Sequence, residues 1–170
     1  MVTEQVILKT IAIRRKAQVV YFNIALPQTA TEVIGVETGY RINTALAYEH
    51  PNASPAEGRI ITYNRSVLLG ELRLQSMEKA NVFYARHVQV DTNLGLGDFS
   101  VQPDFAPQLQ THGAQCLEEP VGVNGFSTVI CGVYTDALGA YLHHDPDYTL
   151  TIYLWIKQAD SENSQTPVAS

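Results

Sequence analysis

Charged side chains are scarce in this 170-residue sequence, since Asp, Glu, Lys and Arg together make up only 16% of it. Hydrophobic residues account for 45%, which is enough for a folded core and unlike a disordered chain. Long apolar runs are also missing, because polar residues or glycine interrupt each one well below the ~18 residues of a spanning helix. We therefore expect a soluble globular protein without a membrane partner, part of whose surface another molecule covers.

The amino terminus lacks the basic segment and following apolar segment of a secretory signal, so we expect no signal peptide and synthesis in a cytoplasm. Cysteine is equally scarce. Cys116 and Cys131 are the only two, and they do not have the CxxC spacing of a redox or zinc site. In a reducing compartment we favour buried free thiols, and a single bridge between the two remains the alternative.

Motifs of known catalytic or nucleotide-binding chemistry are absent from the sequence. Ser66, Ser100 and Ser127 have no GxSxG context, and the chain has no P-loop, no GxGxxG that opens a helix and no HExxH. We predict no catalytic residue and no cofactor. The carboxylate pairs Glu118/Glu119 and Asp145/Asp147 leave a hydrolase with loop carboxylates as an alternative.

Two loops contain side chains of the types that bind metal ions. The first spaces its oxygen atoms loosely like a calcium loop but has no bidentate glutamate at the expected position. The second has two adjacent histidines, whose side chains point to opposite faces on a strand and would not readily share an ion. We favour a strand-end turn and a polar hairpin loop over metal sites. The candidate ligands are Asp91, Asn93, Asp98, His143, His144 and Asp145.

Alternation of apolar and polar residues with a period of two dominates the sequence and predicts β-strands. The clearest strand runs from Tyr148 to Lys157, and similar patterns cover 18–26, 81–90 and 126–135, the last predicted as a central strand covered on both faces. Weaker strands are expected at 6–13, 32–36, 40–47, 59–63 and 67–74. Only 74–80 has a composition that favours helix, for one or two turns.

Strands separated by turns at this spacing indicate an all-β fold, a single-domain antiparallel β-sandwich, for which a jelly roll is one fitting topology. The sandwich would span 1–159, followed by a polar tail at 160–170. The stretch 91–124 contains seven Gly or Pro residues. We expect one long irregular loop there, which would serve binding or assembly.

The charge is unevenly distributed along the chain. Residues 1–90 contain ten Lys/Arg and seven Asp/Glu, a net +3, whereas residues 91–170 contain one lysine and ten acids, a net −9. Opposite fields steer association, so a head-to-tail assembly is one interpretation and a solvated surface the other. A short basic run on an acidic protein does not indicate a nucleic-acid partner. The candidate interface residues are Arg14, Arg15, Lys16, Asp98, Asp104, Glu118, Glu119 and Trp155.

The segment Val20-Tyr-Phe-Asn-Ile-Ala-Leu-Pro-Gln-Thr-Ala-Thr-Glu-Val-Ile-Gly-Val-Glu-Thr-Gly-Tyr40 resembles small β-rich virion proteins of tailed phages, including the crAss-like group. The resemblance covers this segment without a diagnostic motif and implies a ring, collar or capsid-decorating subunit. It carries over no functional residue.

Taken with the missing catalytic motifs, the sequence predicts a non-enzymatic structural subunit of an oligomeric particle, most simply a phage virion. Its partners would be copies of itself and other proteins of the same assembly, joined through strand edges, the 91–124 loop and both termini. A carbohydrate- or ligand-binding β-sandwich, using exposed Tyr side chains and Trp155, is the alternative from a different class.

Overall fold

The computed structural model describes residues 2–42, 66–91, 100–101, 115–142 and 144–160. These segments are almost entirely β-strand. The strands are β1 (Val2–Ile13), β2 (Val19–Ala25), β3 (Ala30–Ile42), β4 (Ser66–Ser76), β5 (Asn81–Asp91), β6 (Ser100–Val101), β7 (Gln115–Gly122), β8 (Val129–Asp136) and β9 (Tyr148–Ala159), with one turn of 3-10 helix at Leu138–Tyr141.

The strands form two antiparallel sheets, which confirms the predicted all-β sandwich. In sheet A the order is β1-β9-β3, and both β6 and β7 pair with the free side of β3. In sheet B the order is β2-β8-β4-β5. The chain crosses repeatedly between the sheets, and the orders 1-9-3-6/7 and 2-8-4-5 are the connectivity of a jelly roll.

A single hydrophobic core lies between the two sheets, and the period-two pattern of the sequence produces it. On β9 the five alternate residues from Tyr148 to Ile156 are fully buried, as predicted. On β2 Phe22 and Ile24 point inward whereas Tyr21 and Asn23 are exposed. The inward faces of β1–β5 and β7–β9 therefore contribute to one core.

The predicted irregular loop at 91–124 is wrong for residues 100–101 and 115–122, which are β6 and β7. Strand β7 was not predicted because it contains Pro120 and Gly122, residue types that are typical of loops. Its register against β3 shifts between Val33, which pairs with Val121, and Gly35, which pairs with Cys116. Pro120 lies in the resulting bulge, where its missing N–H costs no ladder hydrogen bond.

Three other predictions need correction. The helix expected at 74–80 is replaced by the end of β4 and a turn, because Leu74 and Ser76 are buried between the sheets and this burial outweighs helix propensity. The two strands expected at 32–36 and 40–47 belong to one strand, β3, as far as Ile42, and residues 43–47 lie outside the described ranges. The central strand β8 starts only at Val129, and its outer face is half-exposed rather than covered.

Some predictions fall on segments outside the described ranges: the strand at 59–63, most of the 91–124 loop and nearly all of the polar tail. Within those ranges, no helix has the length and apolar character needed to span a membrane.

Candidate functional site

Three of the six candidate metal ligands lie in the described part of the chain, and these three form no metal-binding group there. Asp91 is the last residue of β5, while Asn93, Asp98 and His143 lie outside the described residues. His144 and Asp145 are exposed in the turn before β9. Across the described part of the chain, no group of three or more His, Cys, Asp or Glu side chains could hold a metal ion.

The basic run predicted as an interface forms the turn between β1 and β2, where two of its members make contacts within the chain. Arg14 forms an ion pair with Asp147 and donates to the Tyr148 carbonyl at 3.3 Å. The backbone N–H of Lys16 donates to the Asp145 carboxylate at 3.2 Å, and its ammonium group donates to the Leu142 carbonyl. These residues fasten the β1–β2 turn to the segment before β9. Arg14 and Lys16 are therefore engaged inside the subunit.

A buried polar cluster next to this turn joins the two sheets. Asp136, at the end of β8, is 5% exposed and accepts from the backbone N–H groups of Ala17 and Gly139, each at 3.0 Å. Its other carboxylate oxygen accepts from the Tyr148 hydroxyl on β9 at 2.7 Å. Ala17 has a positive φ of 53°, a conformation that this hydrogen bond helps to hold.

Two tyrosines complete the cluster. The Tyr134 and Tyr148 hydroxyls are 3.0 Å apart, and their rings meet edge to face. Since a tyrosine hydroxyl has one proton, Tyr148 donates to Asp136 and accepts from Tyr134. Burial is the main cause that raises the pKa of both hydroxyls above the usual value of 10. Both tyrosines are therefore neutral hydrogen-bond donors at physiological pH. The hydrogen-bond partners described for this cluster all belong to the same chain.

This cluster was not predicted from the sequence. Its signal was Asp136 at the end of a strand with Gly139 three residues later, a pattern typical of a carboxylate that accepts from a following turn. The two tyrosines were identified only as members of strands, and sequence alone could not show that they face each other across the core.

The two edge strands β1 and β2 expose large apolar side chains. The 14–18 turn connects them. Among the described strands, β1 pairs with β9 alone and β2 pairs with β8 alone. Seven large apolar side chains are well exposed in the described residues, and four lie on these strands: Val2 (63%), Leu8 (53%), Val19 (45%) and Tyr21 (80%). The concentration of exposed apolar side chains on adjoining open edges marks this side of the sandwich as a candidate interaction surface.

A second apolar cluster lies on the outer face of sheet A, outside the core between the sheets. Ile34, Tyr153 and Trp155 are buried there, with Trp155 only 4% exposed. The expectation that Trp155 is available at the surface was therefore wrong. Its indole N–H has no hydrogen-bond acceptor in the structure as described. By register, Trp155 is directly opposite Val6 on β1, and Tyr153 is opposite Leu8.

The predicted interface acids Glu118 and Glu119 are exposed on β7 and line a groove of about 520 Å³. The opposite wall of the groove comes from the edge strand β5 and the turn before it. Lys79 and Arg86 lie on that wall together with the aromatic residue Phe83. The groove therefore combines both signs of charge with an aromatic surface. The other predicted interface acids, Asp98 and Asp104, lie outside the described ranges.

Cys131 is a free, half-buried thiol on β8, in sheet B, whereas the backbone of Cys116 belongs to β7 in sheet A. The prediction of a free thiol is thus confirmed for Cys131, although its side chain is less buried than expected.

Comparisons with known proteins assign the chain to no family, because no family model and no curated protein matches it. Among solved structures, it is similar to a chain of dimeric latent PorU from Porphyromonas gingivalis, with 7% sequence identity and a TM-score of 0.35. The match covers 92% of this chain but only 13% of the PorU chain.

Proposed function

We propose that this protein is a non-enzymatic structural subunit that associates with copies of itself and with other proteins of one assembly. The observation that carries the proposal is the exposure of Val2, Leu8, Val19 and Tyr21 on the adjoining edge strands β1 and β2. An edge strand offers unpaired N–H and C=O groups, and proteins that avoid association protect such edges with charge, proline or bulges. Two charged residues and no proline occur in the twelve residues of β1.

The contacts of the charged residues also support an assembly through strand edges. Arg14 and Lys16, which the sequence suggested for a head-to-tail joint, are bound to the 142–148 segment of the same chain. The surface that remains available for association is apolar and lies along the strand edges. Burial of exposed apolar surface is the usual driving force for stable association.

We further propose that the assembly is a phage virion, in which the protein is a ring, collar or capsid-decorating subunit made in the host cytoplasm. The resemblance at residues 20–40, which span most of β2 and β3, supports this finer proposal. Jelly rolls occur in viral capsid proteins, and they occur equally in lectins, so the topology is compatible with the proposal without selecting it.

Two measurements together test the proposal: multi-angle light scattering of the purified protein and mass spectrometry of purified virions. We expect a mass above that of the 18.8 kDa monomer, and peptides of this chain in the particles. A monomer at every concentration, combined with its absence from purified particles, would refute the proposal.

The groove between β5 and β7 favours one second candidate, a carbohydrate- or ligand-binding module. Its volume of about 520 Å³ is in the range of small-molecule sites, and Phe83 lines it together with Arg86 and Glu118. Glycan-array binding that is lost in Arg86→Ala and kept in Arg73→Ala, an arginine of sheet B outside this groove, would support the module. Absence of binding to any glycan would leave this candidate without support.

A further inference from the structure

We infer that β1 pairs with β1 of a second copy of this chain, antiparallel and around a two-fold axis perpendicular to sheet A near Ile7. This inference rests on the proposed function, because it names the joint and the partner of that assembly. The paired subunits would share one continuous sheet in the order β3-β9-β1-β1-β9-β3.

The edge of β1 that faces away from β9 is long and regular. All twelve of its residues pair with β9, from Val2 opposite Ala159 to Ile13 opposite Tyr148, without a register shift. In an antiparallel strand, every second residue points its N–H and C=O away from that neighbour. No other described strand pairs with β1. The edge therefore presents a regular ladder of backbone groups to an incoming strand.

The symmetry restricts the register. A two-fold axis perpendicular to the sheet keeps both outer faces on the same side, so an outward residue must be opposite an outward residue. With Ile7 opposite Ile7 of the second copy, Val6 is opposite Leu8 of that copy, and both point outward. The pairing thus brings the exposed Leu8 into contact with an apolar side chain.

The charged residues of β1 also fit this register. Glu4 is opposite Thr10 of the second copy, and Lys9 is opposite Gln5, so no like charges oppose each other. Moving the axis to Val6 would place Glu4 opposite Leu8, and moving it to Leu8 would place Lys9 opposite Ile7. The sequence of β1 is therefore complementary to itself in one register, which favours a second copy over an unrelated strand.

The joint would also extend the apolar cluster on the outer face of sheet A. Val6 and Leu8 are opposite Trp155 and Tyr153 on β9, so the cluster already reaches the open edge. Leu8 is the member of this cluster at the edge of the sheet, and its side chain is 53% exposed to solvent. Pairing places the Val6 and Leu8 side chains of both copies between the two buried aromatic pairs, and this burial removes them from water.

Cysteine cross-linking tests the register. Opposite residues in an antiparallel pair have Cα atoms about 4.5–5.5 Å apart, within reach of a disulfide. We expect Ile7→Cys to give a covalent dimer under mild oxidation. The matched control is Lys9→Cys, since Lys9 is on the same strand and face and is equally half-buried. Its two copies would be four residues out of register, about 13 Å apart. The parent chain, with its native cysteines, should not cross-link.

A charge substitution tests the joint independently of cysteine chemistry. Leu8→Lys should weaken dimerisation about 100-fold, because each dimer gains two lysines in the apolar patch at about tenfold each. Val82→Lys is the matched control, because Val82 is 46% exposed on β5, at the opposite edge of the sandwich. This variant should dimerise as strongly as the parent protein. Circular dichroism of each variant verifies the fold.

The outcomes separate this inference from the proposed function. An oligomer that Leu8→Lys leaves intact, or that cross-links as well through Lys9→Cys as through Ile7→Cys, would overturn the β1 joint and leave the structural role standing. A parent protein that is monomeric in solution but present in purified particles would also overturn the β1 joint and leave the structural role standing. Heterodimer formation with another virion protein through β1 would replace the second copy as partner.

Discussion

Replacing Tyr148 by phenylalanine removes a hydroxyl that joins sheet A to the end of β8 in sheet B. That hydroxyl donates to Asp136 at 2.7 Å and accepts from Tyr134 at 3.0 Å, in a site where Tyr148 is fully buried. A hydrogen bond to a charged group contributes about 1.5–3 kcal/mol, and phenylalanine keeps the ring and its packing. We therefore expect the free energy of unfolding to fall by about 2 kcal/mol.

Urea unfolding followed by the fluorescence of Trp155, the only tryptophan, measures this change. With a denaturant slope of about 1–3 kcal/mol per molar urea, the midpoint should fall by about 1 M. Tyr134→Phe should cost less, about 1 kcal/mol, because the Tyr148 hydroxyl can still donate to Asp136. Tyr21→Phe, at a side chain 80% exposed, is the neutral control. A Tyr148→Phe variant as stable as Tyr21→Phe would refute the assignment of this cluster as a link between the sheets.

Three further predictions follow from the packing. Gly132→Ala should lower stability by about 1–3 kcal/mol, since a Cβ there would be 2.1 Å from the Phe22 ring, and Phe22→Leu should restore part of it in thermal melts. Burial raises the native-state pKa of Tyr134 and Tyr148 above their unfolded value of 10, so the native state retains their protons. Their contribution to stability should be complete below pH 10 and decline as pH rises above it, and a midpoint independent of pH from 9 to 11 would contradict this. Cys131, half-buried and free, should react with a maleimide without denaturant, and complete protection would contradict its placement on the outer face of sheet B.

The sequence was sufficient to predict the strands whose two faces differ. On β2 and β9 one face packs into the core and the other does not, so apolar residues recur at every second position and both strands were predicted. β7 was missed because a bulge and Pro120 interrupt this period. The end of β4 was predicted as helix because the decisive burial of Leu74 comes from residues distant in sequence.

The residues of the candidate surface were harder to predict, since exposure depends on which strand lies at an edge. Trp155 and Tyr21 both alternate with core residues and both face away from the core, yet Trp155 is buried and Tyr21 is exposed, a difference that the alternation does not contain. Likewise, the basic residues Arg14 and Lys16 gave no sign in sequence that acceptors about 130 positions away would engage them. Local patterns identify the strands, whereas the order of strands in the sheets determines the surface.

Hydrogen exchange of backbone amides across a dilution series tests most directly whether β1 is the assembly joint. The amides of Val2–Ile13 that point away from β9 should be protected in the assembled protein and should exchange faster as dilution dissociates it. The edge strand Asn81–Asp91 should exchange at the same rate throughout. If those outward amides of β1 exchange at unprotected rates at every concentration, the edge is open in solution and the account of β1 as the joint is contradicted.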